Sequence, residues 1–139
     1  MAESQVYLLD TNACIHILNG SSPELDGRLR RHRPSEIRLC SVVKAELLYG
    51  ARKSARPAEN LRLLEELFAA VGSLSFDDES AAHAGTIRHD LERAGTPIGA
   101  YDLMIAATAM AHDAVLITHN VGEFSRVLGL KLEDWEAAG

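Results

Sequence analysis

The chain has 139 residues, 47% of them apolar and 24% charged, with a formal net charge of −6. That length suits one domain spanning 1–139, large enough to bury a core without staples. No apolar run approaches the ~18 residues of a membrane helix, and the opening MAESQVYLLD lacks the basic-then-apolar pattern of a secretory leader.

In chain order, residues 5–9 read as a buried strand that ends at Asp10, and Thr11 and Asn12 open a helix over 12–18. A second helix is expected over 24–32. IRLCS (37–41) is the next strand, with Ser41 placed to cap a helix over about 42–53. Pro57 sits like a first-turn proline. The helix it starts carries Leu61, Leu64, Phe68 and Val71 at spacings of three and four, and Gly72 stops it. A short strand at 74–76 follows. The helix after it has an acidic first turn, favourable to its dipole, and Gly95 as its end. TPIGA is a loop, 100–112 an Ala-rich helix, and AVLIT (114–118) a second convincing buried strand. A last short strand is expected near Leu130–Leu132, with Trp135 closing the tail. Strands alternating with helices argue for an α/β fold around a parallel sheet.

Charge is unevenly spread. Residues 1–62 carry ten Lys or Arg against seven Asp or Glu, +3, while residues 63–139 carry four against thirteen, −9. The basic half includes RLRRHR (28–33), Arg38, Arg52, Lys53 and Arg56, which reads equally as a phosphate-facing strip or as a solvated helix face. Cys14 and Cys40 are isolated and fit reduced, partly buried thiols of a cytoplasmic protein.

Four places resist a purely structural reading. Asp10 stands at the carboxyl end of a buried strand, where open parallel sheets bind ligands, although it would also serve as a helix cap. Glu46 shares a helical face with Val42, Val43 and Gly50. Asp102 interrupts an apolar face made by Ile98, Ile105, Ala106 and Ala109. LITHNVGEF (116–124) ends a buried strand in Thr118, His119 and Asn120, with Glu123 close behind. Carboxylates delivered to one sheet edge repel one another, and a hard divalent cation relieves that repulsion. An all-oxygen donor set points to Mg²⁺, with Mn²⁺ able to substitute, rather than Zn²⁺. The histidines lack metal-ligand spacing. His16, His32, His83, His89 and His112 read as structural or surface residues, and His119 as a minor candidate for touching substrate.

LLDTN, VVKAELLYGA, IGAYDLMIAATA and LITHNVGEF, in this order and spacing, resemble the PIN-domain ribonucleases, and within them the VapC toxins of prokaryotic toxin–antitoxin pairs. The resemblance runs from about residue 6 to residue 135, and the closing LEDW is similar to the tail of one VapC branch. It implies a three-layer α/β/α fold with a central parallel sheet of four or five strands. It carries over Asp10, Glu46 and Asp102 as the acidic core. Many PIN domains have an aspartate where this chain has Asn120, and Glu123 resembles the acid of the VapC branch instead. Thr11, Asn12, Thr118 and Asn120 are expected to support the site or meet substrate.

The resemblance implies an Mg²⁺-dependent endoribonuclease that cuts structured RNA, tRNA foremost, and arrests translation until a VapB antitoxin neutralises it. Asp10 and Asp102 would be direct metal ligands, with Glu46 and Glu123 completing the site directly or through water. It also implies a homodimer and a larger toxin–antitoxin assembly, cytoplasmic and without membrane contact. The leucine-rich face at Leu61, Leu63, Leu64, Leu67 and Phe68 is wide enough to suggest a groove for a partner helix. The alternative is a catalytically silent PIN scaffold that only binds protein. A receiver-like phosphoacceptor ranks lower, since no lysine follows LITHN. A haloacid-dehalogenase-type phosphatase ranks lower too, since residue 12 is Asn.

Overall fold

The computed structural model describes residues 5–137; the expectation of one domain over 1–139 and the leader reading each include residues outside that range. In chain order the elements are β1 (Tyr7–Leu9), α1 (Thr11–Asn19), α2 (Pro23–Leu29), a single 3₁₀ turn (Pro34–Glu36), β2 (Ile37–Cys40), α3 (Ser41–Arg52), α4 (Pro57–Ala70), β3 (Gly72–Leu74), α5 (Asp78–Arg93), α6 (Ala100–Ala111), β4 (Val115–Ile117), α7 (Val121–Phe124) and β5 (Leu132–Glu133). The five strands form one sheet in the order β3-β2-β1-β4-β5, and every pair is parallel. Helices cover both faces, giving the three-layer fold expected from the resemblance. Among the described residues, no helix is long and apolar enough to cross a membrane.

The order of the strands places the site. The chain starts at the central strand, builds β2 and β3 on one side, then returns to build β4 and β5 on the other. Connections that leave in opposite directions open a crevice at the carboxyl ends of the two strands between them. Those strands are β1 and β4, in register from Tyr7 against Val115 to Leu9 against Ile117. They are apolar throughout because both faces are covered: Leu8, Leu9, Val115, Leu116 and Ile117 are all buried. Asp10 and Thr118 are the next residue of each strand. The Asp10 N–H still donates to the Ile117 carbonyl at 3.1 Å, so the ladder runs up to the first acid.

Several boundaries differ from the sequence reading. β3 starts at Gly72 rather than Leu74. Gly72 is therefore not the stop of α4, which ends at Ala70, but the first residue of an edge strand paired with Arg38. A Cβ on Gly72 would come within 3.1 Å of the Arg38 side chain, which lies across that edge. Beyond Leu74 the ladder stops because its partner leaves the sheet after Cys40 to enter α3, and the Ser75 carbonyl accepts instead from the Ser80 hydroxyl at 3.4 Å and meets the His112 ring at 2.9 Å. Ser41 is not the cap of α3. Cys40 holds that position without a side-chain bond, and Ser41 is the first, exposed residue of the helix. The last strand is Leu132–Glu133, after a left-handed turn at Gly129.

Candidate active site

Asp10 is 5% exposed and caps α1 through its carboxylate, which accepts from the Ala13 N–H at 2.8 Å. The capping role and the strand-end role are filled by the same side chain. The Thr118 hydroxyl reaches Asp10 across the two central strands. Burial pushes the Asp10 carboxyl above its ordinary range, and the Thr118 and Ala13 hydrogen bonds pull it back. Nearby Glu136 pushes it up and His16 opposes that.

Glu46 arrives from α3, half-buried beside the buried Val42 and Val43. The Thr11 hydroxyl, one residue after Asp10, donates to it at 2.6 Å. Glu123 arrives from α7 and is held from two sides. The Asn120 side-chain amide donates to one of its oxygens, and the Gly99 N–H at the start of α6 donates to the other at 3.3 Å. Asn120 itself is fixed by its N–H donating to the Thr118 hydroxyl at 3.0 Å. Three of the four predicted supporting residues thus have definite tasks: Thr11 fixes Glu46, Thr118 fixes Asp10 and the Asn120 backbone, and Asn120 fixes Glu123. Asn12 is exposed and makes no side-chain hydrogen bond among the described residues.

Asp102 lies in the first turn of α6, whose next turns bury Ile105, Ala106 and Ala109. Its carboxyl is pushed up to about 7 by burial first, then by Glu123, which also shares a hydrogen bond with it, and by Glu46 and Asp10. One group therefore registers the field of all three other acids. Acids from four separate segments thus lie within electrostatic reach of one another. The donors are all oxygen, and their repulsion is the kind a hard divalent cation relieves, so the residues fit such an ion. Among the described residues, no three His, Cys, Asp or Glu side chains stand together in a finished ligand set.

Sequence reading missed two features beside these acids. His16, taken as structural or surface, lies next to Asp10 with its Nδ1 2.5 Å from Glu136 Oε1. His119 is bound by Asp134, at 3.0 and 3.2 Å to the two carboxylate oxygens. Both partners come from the tail, at separations that no local pattern reveals.

The leucine face of α4 also resolves differently. Leu64 is buried, and Leu61, Leu67 and Phe68 pack against the core; Leu63 stays 38% exposed. A groove does exist, but α1 and α3 build most of it, from Ile15, Leu18, Leu47 and Gly50, with Leu63 and Leu64 on the far wall. Glu46 lies at its edge, so the groove leads to the acids. The arginines expected as a strip are mostly occupied: Arg28 with Glu133, Arg33 with Glu36, Arg56 with Glu59, and Arg38 with the Ser35 and Ile37 carbonyls.

Residues 7–129 match the PIN domain. The chain is 38% identical to the tRNA(fMet)-specific endonuclease VapC of Salmonella typhimurium over 129 residues, 93% of this chain and 97% of the relative. Among solved structures, the crystal structure of DNA-bound VapBC from Salmonella typhimurium superposes with a TM-score of 0.88 at 37% identity, covering 94% of this chain and 98% of that one. VapBC2 from Rickettsia felis, bound to a DNA fragment from the promoter of the pair, gives a TM-score of 0.86 at 33% identity, with 94% and 99% covered.

Proposed function

The chain belongs to the PIN-domain family, and on that footing we propose that it is a divalent-metal-dependent endoribonuclease of the VapC type, a single PIN domain that cuts tRNA. The observation that carries this reading is that Asp102, raised to about 7, stands in the field of Glu123, Glu46 and Asp10 at the switch point of the sheet. Asp10 and Asp102 would hold Mg²⁺ or Mn²⁺, with Glu46 and Glu123 completing the set. When bound, the cation supplies Lewis-acid stabilisation of the charge that builds on the scissile phosphate and makes an attacking water more acidic.

The chain's own residues do the rest. Thr118 and the Ala13 N–H keep Asp10 aimed at the crevice. Thr11 and Asn120 fix Glu46 and Glu123 as acceptors that orient the attacking water. Water displacing the 3′-oxygen in line leaves a 3′-hydroxyl and a 5′-phosphate. No side chain need act as a nucleophile.

The relatives suggest where to look for substrate and partner. One bears the name of a tRNA(fMet)-specific endonuclease, so initiator tRNA is the substrate to try first. The solved neighbours are toxin–antitoxin complexes, so a VapB-type antitoxin is the expected partner; a homodimer in the cytoplasm is part of the same proposal. An amphipathic antitoxin helix fits the groove between α1, α3 and α4, and an arginine beyond it would reach the carboxylates. Leu63→Ser is expected to fold normally and lose antitoxin affinity. Leu67→Ser, half-buried against the core, is expected to lose stability instead.

The test is cleavage of initiator tRNA and of total cellular RNA with Mg²⁺, followed by mapping of 5′ ends. Discrete cuts that vanish in chelator and in Asp10→Asn support the reading. An intact RNA pool beside normal antitoxin binding would leave the silent scaffold as the answer.

A further inference from the structure

Two histidines flank Asp10, and each is gripped by an acid of the C-terminal tail. His16, on the last turn of α1, holds Glu136 at 2.5 Å. His119, just past β4, holds Asp134 at 3.0 Å. In both pairs the acid lies under the ring: the side chains of Glu136 and Asp134 are 10% and 20% exposed, against 37% and 62% for His16 and His119. The two pairs are tied together, because the Glu136 N–H donates to Asp134 at 2.9 Å. In each ring it is Nδ1 that meets the acid, and Nε2 makes no hydrogen bond among the described residues.

The tail is anchored to do this. Trp135, between the two acids, is fully buried. It stacks on His32 at 4.7 Å, packs on Tyr7 at 5.2 Å, and its indole N–H donates to Glu133 at 2.9 Å. A buried tryptophan with a partnered indole N–H fixes backbone on either side. The flanking acids are thereby placed next to Asp10, where Glu136 adds unfavourable negative charge. Tethering a tail does not require that placement. Holding two rings on the rim of an anionic crevice does.

We propose that His16 and His119 are phosphate-binding residues for the RNA, each presenting its Nε2–H to a backbone phosphate beside Asp10, and that Glu136 and Asp134 are the positioning residues that hold them. This rests on the ribonuclease reading above. It also answers a difficulty of that reading, since the crevice itself is acidic and, among the described residues, no hydrogen bond or ion pair joins an arginine to Asp10, Glu46, Asp102 or Glu123. A tail acid that accepts the Nδ1–H leaves Nε2 on the open side of each ring, where it donates to phosphate when the ring carries both protons, the form that the neighbouring Asp134 carboxylate favours in His119. Interactions of charged donors with phosphate are the ones that salt weakens most, so they leave a measurable trace.

The experiment measures binding of a fluorescein-labelled anticodon stem-loop of initiator tRNA by anisotropy, in Ca²⁺ and over a range of KCl, alongside kcat and KM for cleavage in Mg²⁺. The double variant His16→Gln, His119→Gln is expected to bind about tenfold more weakly. Its slope of log affinity against log salt should shrink by roughly 0.7 for each phosphate no longer neutralised. Asp134→Asn should raise KM while kcat holds. If the double variant does not fold, His119→Gln decides alone, since that exposed ring contributes nothing to the core. Variants that bind with wild-type affinity and an unchanged salt slope, or that merely melt earlier, overturn the proposal while a cleaving wild type keeps the ribonuclease reading. A wild type that neither binds nor cuts the stem-loop overturns both.

Discussion

Asp10 and Asp102 bring the same charge to the same crevice by opposite local arrangements. Asp10 stands at a strand end, 5% exposed, with an N–H and a hydroxyl holding its carboxylate. Asp102 stands at a helix start, where Gly99 gives no side-chain cap, and its closest partner is another acid, Glu123. The first carboxylate belongs to the fold whether or not a ligand is present. The second is held at a cost in repulsion that a proton or a bound cation relieves. A site of this kind divides its labour: one acid is built in, and the other is poised.

The comparison breaks most visibly in cleavage. Asp10→Asn and Asp102→Asn are each expected to lose about two or more orders of magnitude in kcat, as loss of a group that stabilises developing charge generally does. Near-wild-type turnover by either variant, with Mg²⁺ limiting, would remove that residue from the catalytic set. The two should part company in stability. Asp102→Asn relieves repulsion and should raise Tm without metal, whereas Asp10→Asn keeps a capping oxygen and should leave Tm nearly unchanged.

A second expectation concerns pH in the absence of divalent ions. The folded Asp102 carboxyl titrates near 7, above the ordinary value near 3.8. Between those values the folded chain binds more protons than the unfolded chain, so stability falls as pH rises from about 4 to about 7. Asp102 is half-buried, and after allowance for solvent screening the loss is on the order of 1–2 kcal/mol. Buried Asp10, also raised, adds in the same direction. Mg²⁺ should flatten the profile, because an ion bound only to the folded state adds stability as its concentration rises. Thermal melts at pH 5 and pH 8, with and without Mg²⁺, check this. Higher stability at pH 8 in chelator would contradict the mutual repulsion of the acids.

How much of this the sequence carried depends on the range of the interaction. Asp10, Glu46 and Asp102 were legible because each breaks an apolar pattern within its own element, and apolar periodicity is a local signal. Glu123 was legible as an acid near a strand end, but its tie to Asn120 and to the Gly99 N–H depends on how α7 meets α6. The tail pairs were not legible at all. His16 and Glu136 are 120 residues apart, and only the sheet brings them together. The leucine face of α4 misled because periodicity reports which side is apolar, not which neighbour covers it. β3 was displaced because the pairing of Gly72 with Arg38 is set by the partner strand.

The smallest expected effect is the sharpest test of the contrast between the two aspartates. Thr118 is 1% exposed, and its hydroxyl has two partners, accepting from the Asn120 N–H and donating to Asp10. Thr118→Val keeps the shape and removes both bonds. Loss of one buried hydrogen bond leaves an unsatisfied group and costs about 1 kcal/mol or a little more. The consequence should be unequal. Asp10 loses the hydroxyl that holds its carboxyl down, so its proton should be released at higher pH. Asp102, whose raised value comes from burial and from Glu123, should move little. Carboxyl-carbon NMR titration of the two aspartates in Thr118→Val, without divalent ions, reads both shifts in one experiment. An upward shift at Asp10 with Asp102 unmoved is the expected pattern. Equal movement of both would mean that Thr118 tunes the whole acidic cluster, and that the built-in and the poised carboxylates are one unit.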